Sequence, residues 1–156
     1  MVGSDGAKGQ SPAHIMVIND TPEILDLFTI LLEAEGYRVT TDRFTVELGE
    51  MLHRVGDLQP DLVVLDFIIG GEQQGWQFLQ LLRMDSATLP IPVVVCTAAI
   101  AVVRELEAHL DEMGVRVVLK PFDIEQVLEA IATQLHKSRA DHGDPSSNKQ
   151  DKPDDA

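Results

Sequence analysis

The chain is poor in cysteine, in aromatic residues and in positive charge, and it has no long hydrophobic run. Its single cysteine, Cys96, excludes an internal disulfide framework and fits a reducing compartment. No apolar stretch reaches the roughly 18 residues that a membrane-spanning helix needs. The Gly/Ser-rich segment at the N-terminus also lacks the apolar centre of a signal peptide. These absences predict a soluble, cytoplasmic protein.

Positive charge is scarce because 12 Lys and Arg stand against 26 Asp and Glu, which gives a net charge of −14. Such a field opposes binding to nucleic acid and to anionic membranes, while it permits cations and basic partners. Hydrophobic residues still make up 44% of the 156 residues, enough for one globular domain. We expect that domain at 13–136, between a disordered N-terminal segment (1–12) and a disordered acidic tail (137–156) that has no hydrophobic residue larger than alanine.

The sequence does contain a series of short apolar runs rich in β-branched residues, most of them followed directly by polar side chains. Runs without polar alternation are typical of strands buried on both faces of a parallel sheet. Helical patterns separate the runs, so that five strands and five helices alternate in an α/β domain. The polar residues at the strand ends are Asn19, Asp20, Asp66, Thr97 and Lys120.

The carboxyl ends of these strands are the expected ligand site, since ligands of open parallel α/β sheets bind there. The side chains that would converge are two carboxylates, an amide, a hydroxyl and an ammonium. Mg²⁺ prefers one or two carboxylates together with waters and phosphate oxygens. Phosphoryl transfer in turn depends mainly on positioning and charge neutralisation. The set therefore suits a divalent cation and a phosphoryl group.

Local signals locate several helices. Thr21 and Pro22 mark the start of the first helix as cap and first helical residue. Further helices are predicted over 44–55 and 99–113, and the last one begins after Asp123, with Gln126 as its capping-box partner. The 3.6-residue period predicts that the core stripe of the first helix is Ile24, Leu27, Phe28 and Leu31.

With these motifs in this order, the chain resembles the receiver domain of two-component response regulators over roughly residues 14–136. Four separated elements agree in order and in strand-end placement. They are Asn19-Asp20, Asp66, Thr97 and Lys120-Pro121-Phe122. The resemblance implies a flavodoxin-like, doubly wound sheet of five parallel strands in the order 2-1-3-4-5, with helices on both faces.

The resemblance also implies a role for each strand-end residue. Asp66 would be the phosphoacceptor, a carboxylate nucleophile that takes a phosphoryl group from a histidine kinase or phosphotransfer protein. Thr97 and Lys120 would each contact a phosphoryl oxygen. Apart from its own phosphorylation and dephosphorylation, the protein would not be an enzyme. The implied Mg²⁺ ligands are Asp20, Asp66, the backbone carbonyl of Ile68 and, through a water, Asn19.

Three departures from the family pattern bear on these expectations. Asn19 replaces the first of two usual acids, which predicts a lower affinity for Mg²⁺. Ile68 lies two residues after the acceptor, where its side chain would shield an acyl phosphate from water and prolong its lifetime. Val117 stands where the family usually has an aromatic ring, so the usual coupling between that ring and the threonine is missing.

The sequence contains no recognisable output module, so we expect signalling through a partner in trans. The surface formed by the fourth helix, the last strand and the last helix is the expected contact face, where Ile100 or Val103 would meet a partner if exposed. Two alternatives stay open. One is a pseudo-receiver that binds proteins without phosphorylation, favoured by Asn19 and Val117. The other is an enzyme or small-ligand binder on the same fold, which the acidic loop after the first strand disfavours.

Overall fold

The computed structural model describes residues 12–67, 74–120 and 123–143, with side chains described as far as Ser138. The five predicted strands are separated by helices, with two consecutive helices instead of one between the last two strands. The strands are β1 (His14–Ile18), β2 (Arg38–Asp42), β3 (Leu62–Leu65), β4 (Val93–Thr97) and β5 (Arg116–Leu119). The helices are α1 (Pro22–Ala34), α2 (Leu48–Leu58), α3 (Gln74–Met84), α4 (Ile100–Glu105), α5 (Glu107–Glu112) and α6 (Ile124–Gly143).

The five strands form one parallel sheet in the order β2-β1-β3-β4-β5. The predicted fold class and strand order are therefore confirmed. The order reverses between β1 and β3, which makes this the switch point where such sheets bind ligands. The register pairs Ile18 with Leu65 and Leu65 with Val95. The residues that follow β1 and β3 consequently leave the sheet side by side.

Alternate side chains of the central strands enter two separate cores, one on each face of the sheet. On β3, Val63 and Leu65 join the first core, whereas Leu62 and Val64 join the second. Helices α2, α3 and α5 bury apolar residues in the first core, and α1 and α6 bury theirs in the second. Burial on both faces explains why these strands read as continuous apolar runs.

The buried side of α1 differs from the predicted stripe. Phe28 is buried as expected, but Leu27 is 50% exposed, and Leu25 and Leu32 lie in the core instead. The helix carries apolar residues at most positions between 24 and 32. More than one stripe therefore satisfies the helical period, and packing against the sheet selects between them.

The second predicted helix begins later than expected, at Leu48 rather than at Phe44. Phe44 has a positive φ of 63°, which a helix does not allow, and its ring meets Phe78 edge-on at a centroid distance of 5.3 Å. The backbone N–H of Phe44 donates to Asp42 Oδ1 at 2.8 Å. This turn inserts the ring into the core before the helix starts.

The predicted helix over 99–113 is two short helices, α4 and α5, which meet at Leu106. The N–H of Leu106 is shared between the carbonyl oxygens of Val102 and Val103, a tightened last turn. Val103 is half-buried and packs against the first core, whereas Ile100 is 42% exposed. The β-branched residues of α4 lower its helix propensity, and this favours the break.

The last helix, α6, confirms its predicted start. Gln126 Oε1 accepts the backbone N–H of Asp123 at 3.1 Å, one half of the expected capping box. The helix continues past 137, where the sequence predicted a tail, and ends at Gly143. Lysine, arginine and alanine in this stretch are good helix formers. The segments 1–11 and 144–156 lie outside the described residues.

Candidate phosphoacceptor site

The site lies where β1, β3, β4 and β5 end at the carboxyl edge of the sheet. Asn19 follows β1, and Asp66 follows β3. Thr97 is the last residue of β4 and pairs with Leu119, the last residue of β5. The carbonyl oxygen of Thr97 accepts the backbone N–H of Lys120 at 2.9 Å. Parallel pairing alone thus brings four of the predicted strand-end positions to one edge.

Asp66 and Lys120 form an ion pair at this edge. Lys120 Nζ lies 3.1 Å from Asp66 Oδ2, and the whole Asp66 residue is only 9% exposed. A carboxylate removed from water is stable in its charged form when a cation and hydrogen-bond donors face it. The ammonium group provides the cation, and it lies where the charge of an added phosphoryl group would also need neutralisation.

Asn19 contacts the same carboxylate oxygen. Its Nδ2 lies 3.4 Å from Asp66 Oδ2, and its Oδ1 accepts the backbone N–H of Thr21 at 2.9 Å. Asn19 is 6% exposed, so its amide is removed from bulk water. The sequence predicted Asn19 as a partner of a metal-bound water, and its direct contact with Asp66 was not anticipated.

Asp20 is half-buried next to Asn19, and the Thr21 hydroxyl donates to its Oδ1 at 3.5 Å. Thr21 does occupy the cap position of α1, but its side chain makes no capping bond to the helix, contrary to the sequence prediction. Pro22 is the first helical residue, as predicted.

The donor set at this edge suits a hard divalent cation. One or two carboxylates, completed by waters and phosphate oxygens, are the ligands that Mg²⁺ prefers, and Asp20 and Asp66 provide the carboxylates. No group of three or more Asp, Glu, His or Cys side chains with metal-binding geometry occurs within 12–67, 74–120 and 123–138. The carbonyl of Ile68, predicted as a further ligand, lies outside the described residues.

Thr97 is fully buried at the end of β4. Its Oγ1 accepts the backbone N–H of Ala99 at 3.2 Å. A hydroxyl that accepts one bond can still donate its own proton. The side chain is thus suited to donate a hydrogen bond to an anionic oxygen that arrives at the sheet edge.

Gly75, which the sequence analysis did not single out, lies against the backbone of Asp66. A Cβ atom at this position would overlap the carbonyl oxygen of Asp66 and would lie 2.6 Å from Phe67 Cα. The N–H of Gly75 also donates to the carbonyl of Phe67 at 3.0 Å. Only glycine allows the first turn of α3 to approach this closely.

Cys96 and Trp76 are packing residues. Burial raises the pKa of the Cys96 thiol to about 12, and the Lys120 charge only partly opposes this. Such a thiol is not a nucleophile at neutral pH. Trp76 packs edge-on against Phe67 with ring centroids 5.8 Å apart, beside the backbone of the candidate acceptor.

Fold and site together define a receiver. The family model of the response regulator receiver domain matches residues 15–132. The chain belongs to this family.

Two curated relatives are DNA-binding regulators. The chain is 33% identical over 125 residues to the DNA-binding dual master transcriptional regulator RpaA of Synechocystis sp., covering 80% of this chain and 50% of that protein. It is 31% identical over 129 residues to the DNA-binding response regulator MtrA of Mycolicibacterium smegmatis, covering 80% and 51%. The chain thus spans about half the length of these relatives.

Solved receivers share the fold. Vibrio cholerae CheY4 is 21% identical with a TM-score of 0.66, covering 80% of this chain and 99% of CheY4. The N-terminal domain of a response regulator receiver protein from Methanoculleus marisnigri is 33% identical with a TM-score of 0.55, covering 76% and 92%. The receiver domain of the sensor histidine kinase PA1611 from Pseudomonas aeruginosa is 16% identical with a TM-score of 0.65, covering 81% and 99%; its structure has a magnesium ion coordinated in the active site cleft.

Proposed function

We propose that this receiver domain accepts a phosphoryl group on Asp66 from the phosphohistidine of a sensor histidine kinase or phosphotransfer protein. The contact between Lys120 Nζ and Asp66 Oδ2, at 3.1 Å in a site where Asp66 is 9% exposed, carries the proposal. It pairs a nucleophilic carboxylate with a fixed cation at the ligand-binding edge of the sheet.

In the proposed reaction an Asp66 carboxylate oxygen forms a bond to phosphorus while the bond between phosphorus and the donor imidazole nitrogen breaks. The product is an acyl phosphate on Asp66 and a free histidine on the donor. The Thr97 hydroxyl donates to one phosphoryl oxygen, and the Lys120 ammonium pairs with another. Later attack by water returns Asp66 and inorganic phosphate, so the domain catalyses only its own modification and its reversal.

Charge neutralisation is the main requirement of this chemistry. Two unit charges of like sign at 4 Å repel by about 4 kcal/mol at an effective dielectric constant near 20. The residues that would hold Mg²⁺ are Asp20, Asp66, the carbonyl of Ile68 and, through a water, Asn19. Bound there, the ion would neutralise charge on the carboxylates and on the incoming phosphoryl group. Ile68 would also shield the acyl phosphate from water.

We further propose that the signal passes to a protein partner in trans. The contact face would comprise α4 and α5, β5 and α6, where Ile100 and Leu119 are 42% and 39% exposed. The net charge of −14 supports a domain that itself contacts neither nucleic acid nor an anionic membrane. No helix within the described ranges is both long and apolar enough to cross a bilayer. A cytoplasmic location follows from the proposed kinase donor.

A pseudo-receiver that binds proteins without phosphorylation is the second candidate. Val117 favours it, since this half-buried aliphatic side chain packs into the first core and offers no ring that could move with Thr97. Asn19 favours it as well, because an amide brings no charge for a metal ion.

Intact mass after incubation with Mg²⁺ and acetyl phosphate separates the two functions. We expect one added phosphoryl group on the wild-type protein and none on Asp66→Asn or in EDTA. A folded wild-type protein that gains no mass from acetyl phosphate, or from a panel of phosphorylated histidine phosphotransfer proteins, would favour the pseudo-receiver.

A further inference from the structure

The backbone of Asn19 is fixed by the neighbouring strand. Its N–H donates to the carbonyl oxygen of Asp42 at 3.1 Å, at the end of β2. Ile18, directly before it, pairs with both Asp42 and Leu65 in the sheet. The starting point of the Asn19 side chain is therefore set by the centre of the sheet and not by a loop.

The orientation of the Asn19 amide follows from its hydrogen bonds. The backbone N–H of Thr21 requires an acceptor, and at 2.9 Å from the Asn19 side chain only the amide oxygen can accept it. The two ends of the amide are therefore not interchangeable. The donor nitrogen, Nδ2, is the end that faces Asp66 Oδ2 at 3.4 Å.

Asp66 Oδ2 thus receives two donors, the amide of Asn19 and the ammonium of Lys120. Aspartate at position 19 would remove the first of these hydrogen bonds and place a second negative charge beside Asp66, because an ionised carboxylate can only accept. Asparagine adds a donor without adding a negative charge. The difference matters because both residues are at least nine-tenths buried.

We propose that Asn19 is a positioning residue that holds the Asp66 carboxylate through its amide nitrogen and stabilises this carboxylate, without metal, by a hydrogen bond. The proposal rests on the function assigned to Asp66 above. It implies a site that is stable without a divalent cation and binds Mg²⁺ weakly. Asn19→Asp would convert it into one that needs the cation for stability.

The test uses the whole chain with Asn19→Asp, Asn19→Ala and the control Asp20→Asn. Thermal midpoints are measured in EDTA and in excess Mg²⁺, and Mg²⁺ titrations are followed by the fluorescence of Trp76, the single tryptophan. We expect a small Mg²⁺ shift for the wild type. For Asn19→Asp we expect a lower midpoint in EDTA, recovery in Mg²⁺ and a dissociation constant at least tenfold tighter. Isothermal calorimetry replaces fluorescence if the tryptophan does not respond.

Asn19→Ala separates positioning from charge. We expect a lower midpoint than the wild type in EDTA and no gain in Mg²⁺ affinity. Asp20→Asn should weaken Mg²⁺ binding with little change in EDTA. An Asn19→Ala midpoint equal to the wild type, or an Asn19→Asp protein with unchanged Mg²⁺ affinity, would overturn the proposal. These readouts involve no phosphoryl donor, so failure of acetyl phosphate to label the protein would refute only the proposed phosphorylation.

Discussion

The two ends of the sheet both contain buried polar side chains, but the hydrogen bonds of these side chains differ between the ends. At the amino end, His14 donates its backbone N–H to Asp61 Oδ2 at 2.7 Å, and its ring Nε2 lies 2.7 Å from the Thr40 hydroxyl. At the carboxyl end, the contacts that Asp66 Oδ2 makes with Asn19 and Lys120 measure 3.4 Å and 3.1 Å. The bonds at the first end connect β1 to neighbouring segments of the chain, whereas the contacts at the second join three side chains that follow different strands.

The same contrast extends to the amino end of β4 and β5. Arg83 donates from Nη1 to the carbonyl oxygens of Leu89 and Ile91, and buried Gln134 donates to those of Val93 and Gly114. These side chains bind backbone, so their donors are directed at the protein. The contacts at the carboxyl end differ, because Asp66 Oδ2 meets the side chains of Asn19 and Lys120.

The largest expected effect concerns the close approach of α3 to the backbone of Asp66. Gly75→Ala should destabilise the protein by about 3 kcal/mol, because the new methyl group overlaps the Asp66 carbonyl and neither backbone segment can move without disturbing the core. Urea unfolding measures the change.

Gly49→Ala is the matched control for this substitution. Gly49 lies in α2 and has no neighbour within 4 Å of a new Cβ atom. It should stabilise the protein by about 0.5 to 1 kcal/mol through helix propensity. Equal effects at the two glycines would contradict the close-contact account of Gly75.

A smaller effect is expected at the amino end. Arg83→Met should cost about 2 kcal/mol, because it removes two hydrogen bonds from a charged donor to the carbonyl oxygens of Leu89 and Ile91. Burial lowers the pKa of Arg83, and its Nε has no partner within the described ranges. Methionine removes both of these unfavourable features, so the net loss of stability is smaller than the loss of the two hydrogen bonds alone. Arg104→Met on the exposed side of α4 should stay within about 0.5 kcal/mol. Denaturation midpoints that do not differ between the two variants would show that Arg83 does not anchor the segment of Leu89 and Ile91.

The smallest effect is a pH dependence at His14. Burial, followed by the charge of Arg38, lowers the pKa of this histidine from its usual 6.5, while Asp61 partly opposes the shift. The unfolded chain then binds the proton more readily than the folded one. Stability should therefore fall as the pH drops below about 6.5, and level off below the folded-state pKa.

His14→Gln keeps a hydrogen-bonding side chain but does not titrate, so it should lose less stability than the wild type between pH 7.5 and 5.5. Chemical denaturation at both pH values checks the difference. The same pH dependence in both proteins would exclude His14 as its source.

The sheet and the positions of the site residues could be predicted from the sequence because both depend on local pattern. Apolar runs without alternation gave the parallel strands, and parallel pairing fixes which residues share an edge. The details that failed depend on tertiary packing. Several stripes of α1 were apolar, and only contact with the second core selects Leu25 and Leu32 over Leu27.

Two features of the site can be recognised only in the three-dimensional structure. The sequence shows a glycine at 75 but not that the backbone of Asp66 lies against it. It shows an amide at 19 but not that the Thr21 N–H turns the donor nitrogen toward Asp66. The first is a contact in space and the second is a side-chain orientation. Composition and hydrophobic periodicity contain neither.

The most direct test of the central claim identifies the modified residue. After phosphorylation with acetyl phosphate and Mg²⁺, borohydride reduces an aspartyl phosphate to homoserine, which peptide mass spectrometry locates. We predict homoserine at position 66 alone, dependent on Mg²⁺ and absent when Lys120 is changed to Met. Homoserine at Asp20 or at Asp42 on the same sheet edge, or no conversion in a protein that gains a phosphoryl group, would contradict the assignment of Asp66.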